Sequence, residues 1–167
     1  ILNVLADEGF CHHDMGSIVV TDPDILFLGP VDDVFDQSFD VGVTVRGNGG
    51  MDVNAGVFFC RNSELACAFW KRMISIISSD FPHEKDWYGD QLVFKRILPL
   101  EMGGDTAGLS STFEFYNLKL KCFPCSRFNY SPPSDRPSFV WPTDCVIYHF
   151  KGRSKFHLMP FWKNREL

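Results

Sequence analysis

The chain has 167 residues, 45% of them hydrophobic and including 17 Phe and 4 Trp. That is enough apolar material for one packed domain and too little for two, so residues 1–167 are expected to form a single domain. A formal net charge of -5, from 16 basic and 21 acidic residues with no basic block, offers no electrostatic footprint for nucleic acid, and no apolar run approaches the roughly 18 to 20 residues of a membrane-spanning helix.

Residues 1–10 read as the end of an amphipathic helix, because Ile1, Leu2, Leu5 and Ala6 share one face before Gly9 breaks the pattern. Residues 11–16 are polar and turn-like. Ser17-Ile-Val-Val-Thr21 is a short β-branched run that reads as a buried strand of the parallel-sheet kind, and it delivers Asp22-Pro23-Asp24 to a strand end. Gly29-Pro30 marks a turn, residues 31–35 a short helical turn, and residues 39–45 a second strand. Gly47, Gly49 and Gly50 lie in a loop that follows no phosphate-loop pattern. Residues 55–60 read as another buried strand. Asn62 or Ser63 is then a good N-cap for a helix whose apolar face is Leu65, Phe69, Met73 and Ile76. A second helix is expected from Trp87 or Tyr88 to Ile97, since Pro99 forbids continuation. Residues 118–123 and 145–150 are candidate strands, separated by an irregular Pro-rich loop at 131–142. Strands alternating with helices of this length indicate an α/β sheet with parallel character.

Two carboxylates two positions apart, directly after a hydrophobic strand, can hold a divalent cation whose remaining positions go to water and phosphate oxygens. Asp and Pro are also ordinary turn residues, so Asp22 and Asp24 alone do not decide between the two readings. His149 ends an apolar strand, where an imidazole is either structural or a metal ligand. Gly152 would allow close backbone approach and Lys155 would supply a cation for a departing diphosphate; Arg153 is a further phosphate contact or an exposed loop residue. Asn54 and Gly56 stand where a loop meets a strand, and Asp90 and Gln91 in the first turns of a helix.

The six cysteines are even in number but sparse for a disulfide-stapled mini-domain. Cys122-Phe-Pro-Cys125 has zinc-ribbon or redox spacing. No second pair follows it, and its Pro-rich surroundings do not resemble a helix opening, so these cysteines are read as structural. Cys11-His12-His13-Asp14 is read as a loop insertion.

Taken in order, four stretches resemble the GT-A nucleotide-diphospho-sugar transferases, in particular their retaining members. They are Ile18-Val-Val-Thr-Asp-Pro-Asp-Ile-Leu-Phe-Leu-Gly-Pro-Val-Asp-Asp-Val-Phe35, Val53-Asn54-Ala55-Gly56-Val57-Phe58, Asp90-Gln91, and His149-Phe-Lys-Gly152-Arg-Ser-Lys155. The resemblance implies a GT-A-like mixed, mainly parallel sheet flanked by helices. Because such domains begin with nucleoside-binding strands upstream of the helix at 1–10, it also implies a chain lacking those first strands. The 18–20 strand would then have an unpaired edge, so the piece is expected to self-associate or to need a missing N-terminal segment. Further implications are Mn2+ (or Mg2+) on Asp22, Asp24 and His149, sugar and phosphate contacts from Asn54, Ala55, Gly56, Gly152, Arg153 and Lys155, and catalytic roles for Asp90 and Gln91. The activity implied is metal-dependent transfer of a sugar from a nucleoside-diphosphate donor, a UDP-sugar, to a glycan or glycoprotein hydroxyl. The location implied is the Golgi lumen in a eukaryote and otherwise the cytoplasm. The rival reading is a non-catalytic carbohydrate-binding or scaffold domain descended from such an enzyme.

Overall fold

The computed structural model describes residues 16–46, 53–61, 63–81, 89–97, 112–133 and 142–165. The expectations for residues 1–15, for the glycine-rich loop, for Trp87, Tyr88, Pro99 and Trp141, and for most of the Pro-rich loop lie outside these residues. Seven strands are described: β1 (Ser17–Thr21), β2 (Ile25–Phe27), β3 (Val41–Val45), β4 (Val53–Arg61), β5 (Thr112–Phe115), β6 (Leu118–Pro124) and β7 (Ile147–His149). The helices are α1 (Glu64–Asp80), α2 (Gly89–Ile97), the one-turn α3 (Cys125–Phe128) and α4 (Leu158–Arg165), with 3-10 turns at Asp32–Asp36 and Gly152–His157.

Five strands form one sheet in the order β1-β4-β3-β6-β5, and β2 and β7 form a separate antiparallel pair. Within the large sheet only β3 and β6 are bonded in parallel; the other three ladders are antiparallel. Since β1 and β3 both run opposite to β4, the strands β1, β3 and β6 point the same way. The fold is therefore the expected mixed α/β class, its parallel character carried by strand direction more than by ladders. β1, expected as a buried strand of the parallel kind, is instead antiparallel to β4 and only partly buried, since a short β-branched run does not by itself report its ladder or its depth. Among the described residues β1 occupies one edge of the sheet.

Alternation along the strands divides the core in two. Val41, Val43, Val45, Phe58, Cys60, Leu118, Leu120 and Cys122 pack under α1 and α2 with Phe69, Trp70, Met73 and Phe94. On the opposite face Val57, Phe59 and Phe123 meet Val34, Phe39, Phe128 and Ile147. Gly42 is needed there, because a Cβ at that position would stand 2.7 Å from the Phe123 ring. Register shifts between Val43 and Thr44, where β3 meets β4. Across that irregularity the parity of β4 changes: Val53 and Ala55 pack on the helical side with Phe58 and Cys60, whereas Val57 and Phe59 belong to the other. Bulges of this kind re-aim side chains beside functional sites.

Helix α1 is capped as expected by Ser63, whose hydroxyl accepts from the Ala66 N–H at 3.1 Å. Its buried face is Ala66, Cys67, Phe69, Trp70, Met73 and Ile77, so Phe69 and Met73 are placed as the periodicity predicts and Ile76 is half-buried. Leu65 is a correction, being 44% exposed. Adopting Leu65 as an anchor turns the apolar stripe away from Trp70, which fills the centre. Five elements were not anticipated: β2, β5, α3, the 3-10 turn at Gly152–His157 and α4. Strand β5 returns through Tyr116 and Asn117, both with positive φ (49° and 65°), a tight hairpin turn without the glycine that usually signals one. Helix α3 opens at Cys125 directly after Pro124, where the Pro-rich context had argued against a helix; one turn needs few good helix formers when its apolar residues are buried.

Phe59 is fully buried, with its ring 5.1 Å from Phe123, 5.6 Å from Phe128 and 6.0 Å from Phe35. Phe59→Ala is expected to cost about 3–5 kcal/mol, and Leu65→Ala less than about 0.5 kcal/mol. Urea unfolding of both variants checks the assignment of these faces.

Candidate metal centre

Strands β1, β3 and β6 end on the same side of the molecule, and β4 begins there. Beyond β1, the Asp22 N–H donates to the Gly56 carbonyl at 3.0 Å, which ties Asp22 to β4. Pro23 turns the chain, and the Asp24 carbonyl then accepts from the Phe150 N–H at 2.9 Å. Ile25 pairs with His149 as β2 runs along β7. The Asp-Pro-Asp segment thus steps from one sheet to the other, and backbone pairing on each side fixes both carboxylates.

His149 Nε2 lies 3.3 Å from Asp22 Oδ2 and 3.2 Å from Asp24 Oδ1. The three ligand atoms fall within 4.8 Å of one another, the one such cluster of His, Cys, Asp or Glu among the described residues. Two ligands at right angles on a cation at about 2.0–2.6 Å stand about 2.8–3.7 Å apart, so these separations suit neighbouring positions in one coordination sphere. Lys155 Nζ reaches Asp24 Oδ2 at 3.0 Å from the 3-10 turn that follows β7. Gly56 makes room for the imidazole: a Cβ there would stand 2.2 Å from His149 Cε1 and 2.3 Å from Nδ1.

A polar layer lies behind the triad. His149 Nδ1 is 2.9 Å from Asn129 Oδ1, and Asn129 Nδ2 donates to Thr44 Oγ1 at 2.6 Å and to the Asn54 carbonyl at 3.0 Å. The Thr44 hydroxyl donates to that same carbonyl at 2.8 Å. Asn54 Oδ1 accepts from Lys151 Nζ and, at 3.4 Å, from the Gly56 N–H. Thr44, Asn54, Asn129 and His149 are all buried. Burial and then the Lys151 charge hold His149 down to about 4, against the opposing pull of Asp24, so the imidazole is neutral at physiological pH. Burial raises Asp22, with help from Asp24, while Lys151 and Lys155 act against the rise. Lys151 is itself lowered, by burial and then by Arg46.

Asp22, Asp24, His149 and Lys155 thus converge. Asp90, in the first turn of α2, is raised by burial, with a smaller upward push from the Asp22 charge. Its Oδ1 accepts from the Gln91 N–H at 2.7 Å, and Gln91 is half-buried. Asn54 is enclosed, presenting Lys151 towards the cluster in its place. Ala55 packs into the helical-side core. Gly152 has φ +52°, a left-handed backbone that suits glycine, and Arg153 is exposed. Sequence reading missed Thr44, Asn129 and Lys151. Lys151 stands inside the His149 to Lys155 stretch, where a strand-end lysine between His and Gly was the available signal; Thr44 and Asn129 carry none, because only the fold brings them to His149.

Cys122 and Cys125 are buried thiols that burial pushes up to about 12 and about 11, in keeping with a structural role. A groove of about 410 Å³ bordered by Leu65, Arg72, Phe115 and Tyr116 lies at the start of β6, the opposite end of that strand from the triad.

The fold and the site together define a mixed α/β domain with a candidate divalent-cation centre. Among solved structures its fold is similar to that in the crystal structure of a glycosyltransferase involved in the glycosylation of the major capsid of PBCV-1, so the fold is glycosyltransferase-like. The two share 15% identity and a TM-score of 0.55 over 85% of this chain and 67% of that one, a likeness of fold. No protein-family model and no curated protein sequence matches the chain.

Gly56→Ala is expected to displace the His149 ring and weaken Mn2+ binding by at least about tenfold, read by titration calorimetry. A carboxyl raised above 3.8 contributes stability that is complete below that value and is lost as the pH rises through its folded pKa. Asp90→Asn should therefore raise the melting temperature of the metal-free protein near neutral pH, with the gain vanishing below pH 3.8. Scanning calorimetry across that range checks the sign.

Proposed function

We propose that the chain carries the metal site of a GT-A glycosyltransferase that moves a sugar from a nucleoside-diphosphate donor, a UDP-sugar, to a hydroxyl of a glycan or glycoprotein. The observation that carries this reading is the meeting of Asp22, Asp24 and His149 within 4.8 Å, from strands distant in sequence, on a glycosyltransferase-like fold. A bound Mn2+ or Mg2+ supplies charge neutralisation to the leaving diphosphate. Asp22 and Asp24 would offer it carboxylate oxygens and His149 its Nε2. Lys155, already at Asp24, would hold a second positive charge beside the phosphates, and the left-handed backbone at Gly152 would admit them closely. Asp90, Gln91 and Lys151 would face the donor sugar. A carboxylate kept above its ordinary pKa by burial is the kind of group that active sites retain at a cost in stability.

Calorimetric titration of UDP into the purified chain, with and without Mn2+, tests the proposal. Binding is expected to require Mn2+ and to disappear in Asp22→Ala and Asp24→Ala. Equal Mn2+-dependent binding in both variants would remove the two carboxylates from the site, and metal-bound protein that ignores UDP would favour the carbohydrate-binding or scaffold reading.

A further inference from the structure

We infer that Asn129 is a positioning residue that locks the tautomer of His149, aiming an unprotonated Nε2 at the metal position; the inference rests on the metal-binding reading above. The Asn54 carbonyl can only accept, so the Asn129 atom 3.0 Å from it must be the Nδ2 donor. The same NH2 group lies 2.6 Å from Thr44 Oγ1, whose own proton is directed to the Asn54 carbonyl at 2.8 Å. These two contacts fix the orientation of the amide and leave Oδ1, a pure acceptor, 2.9 Å from His149 Nδ1.

A neutral imidazole carries one N–H, and facing that acceptor it belongs on Nδ1. The Nε2 lone pair is then turned towards Asp22 Oδ2 at 3.3 Å and Asp24 Oδ1 at 3.2 Å. Three electron-rich atoms facing one another repel unless a cation stands among them, so the amide holds the imidazole in the form that is least comfortable empty and best suited to ligation. Gly56 allows the ring to lie where this hydrogen bond is made, since any Cβ would overlap its Nδ1 and Cε1. Asn129 itself is delivered by α3, and the backbone holds that segment against β7: the Tyr130 N–H donates to Ile147 O at 3.0 Å and the His149 N–H to Tyr130 O at 2.8 Å. Donor and acceptor therefore move as one unit.

The test is long-range proton–nitrogen NMR of the metal-free, nitrogen-15-labelled chain, with the His149 signals assigned by their loss in His149→Gln, together with Mn2+ titration of each variant. Wild type is expected to show the Nδ1–H tautomer. Asn129→Leu, similar in size but lacking the acceptor, should release the lock and lower Mn2+ affinity by about 10- to 100-fold. Met73→Ala is the stability control. It opens the core layer under α1 and touches none of the groups around the imidazole, so it should keep the tautomer and near wild-type affinity while losing stability. An Nε2–H tautomer in wild type overturns the inference even if Asn129→Leu does not fold. An unchanged tautomer in Asn129→Leu, or an equal affinity loss in Met73→Ala, overturns it as well. An Nδ1–H tautomer in a wild-type protein that fails to bind Mn2+ would instead sink the metal reading and leave the amide lock standing.

Discussion

The site depends first on the antiparallel register of β2 on β7. Pairing Ile25 with His149, and bonding the Phe150 N–H to the Asp24 carbonyl, sets Asp24 beside the imidazole by backbone geometry, before any side-chain preference acts. Asp22 is held separately, by its bond to Gly56 in the large sheet. The relative placement of the two carboxylates therefore reflects how the two sheets abut, and Pro23, with its restricted φ, spans the gap between them. A register slip by one residue would turn His149 to the other face of its strand and dissolve the cluster.

Charge balance is the second constraint. Asp22 and Asp24 gather negative charge around a buried imidazole, which burial alone would disfavour. Lys155 meets Asp24 from the solvent side and Lys151, anchored on Asn54, acts from within. This lysine is lowered by burial and by Arg46, so the compensation is imperfect on both sides. A site balanced in this way, with acids above and a cation below their ordinary values, is poised for a ligand that brings its own charge.

Sequence reading recovered the strands with β-branched runs, the Ser63 cap and the α/β class, because those depend on local periodicity and capping chemistry. It also selected Asp22, Asp24, His149 and Lys155, which the structure brings together. It placed Leu65 in the core because a helical stripe can be drawn with more than one origin, and only the packing of Trp70 against Phe58 and Phe94 sets the true one. Strand β5 escaped because its turn uses Tyr116 and Asn117 in a conformation that glycine usually marks. Asn129 and Thr44 escaped for a deeper reason: an amide that orients a histidine has no spacing rule, since its partner comes from another strand.

The position of His149 in the chain has a consequence for assembly. The large sheet closes without β7, which among the described residues pairs with β2 and has α3 packed on it. Local opening of this late segment would carry away one ligand and Lys155 and withdraw Ile147 from the second core layer, while the layer under α1 and α2 stays intact. Any ligand that needs all three donors then favours the docked arrangement, so occupancy and closure of the segment from β7 onwards are linked quantities, and the cluster acts as a latch on the segment that completes it.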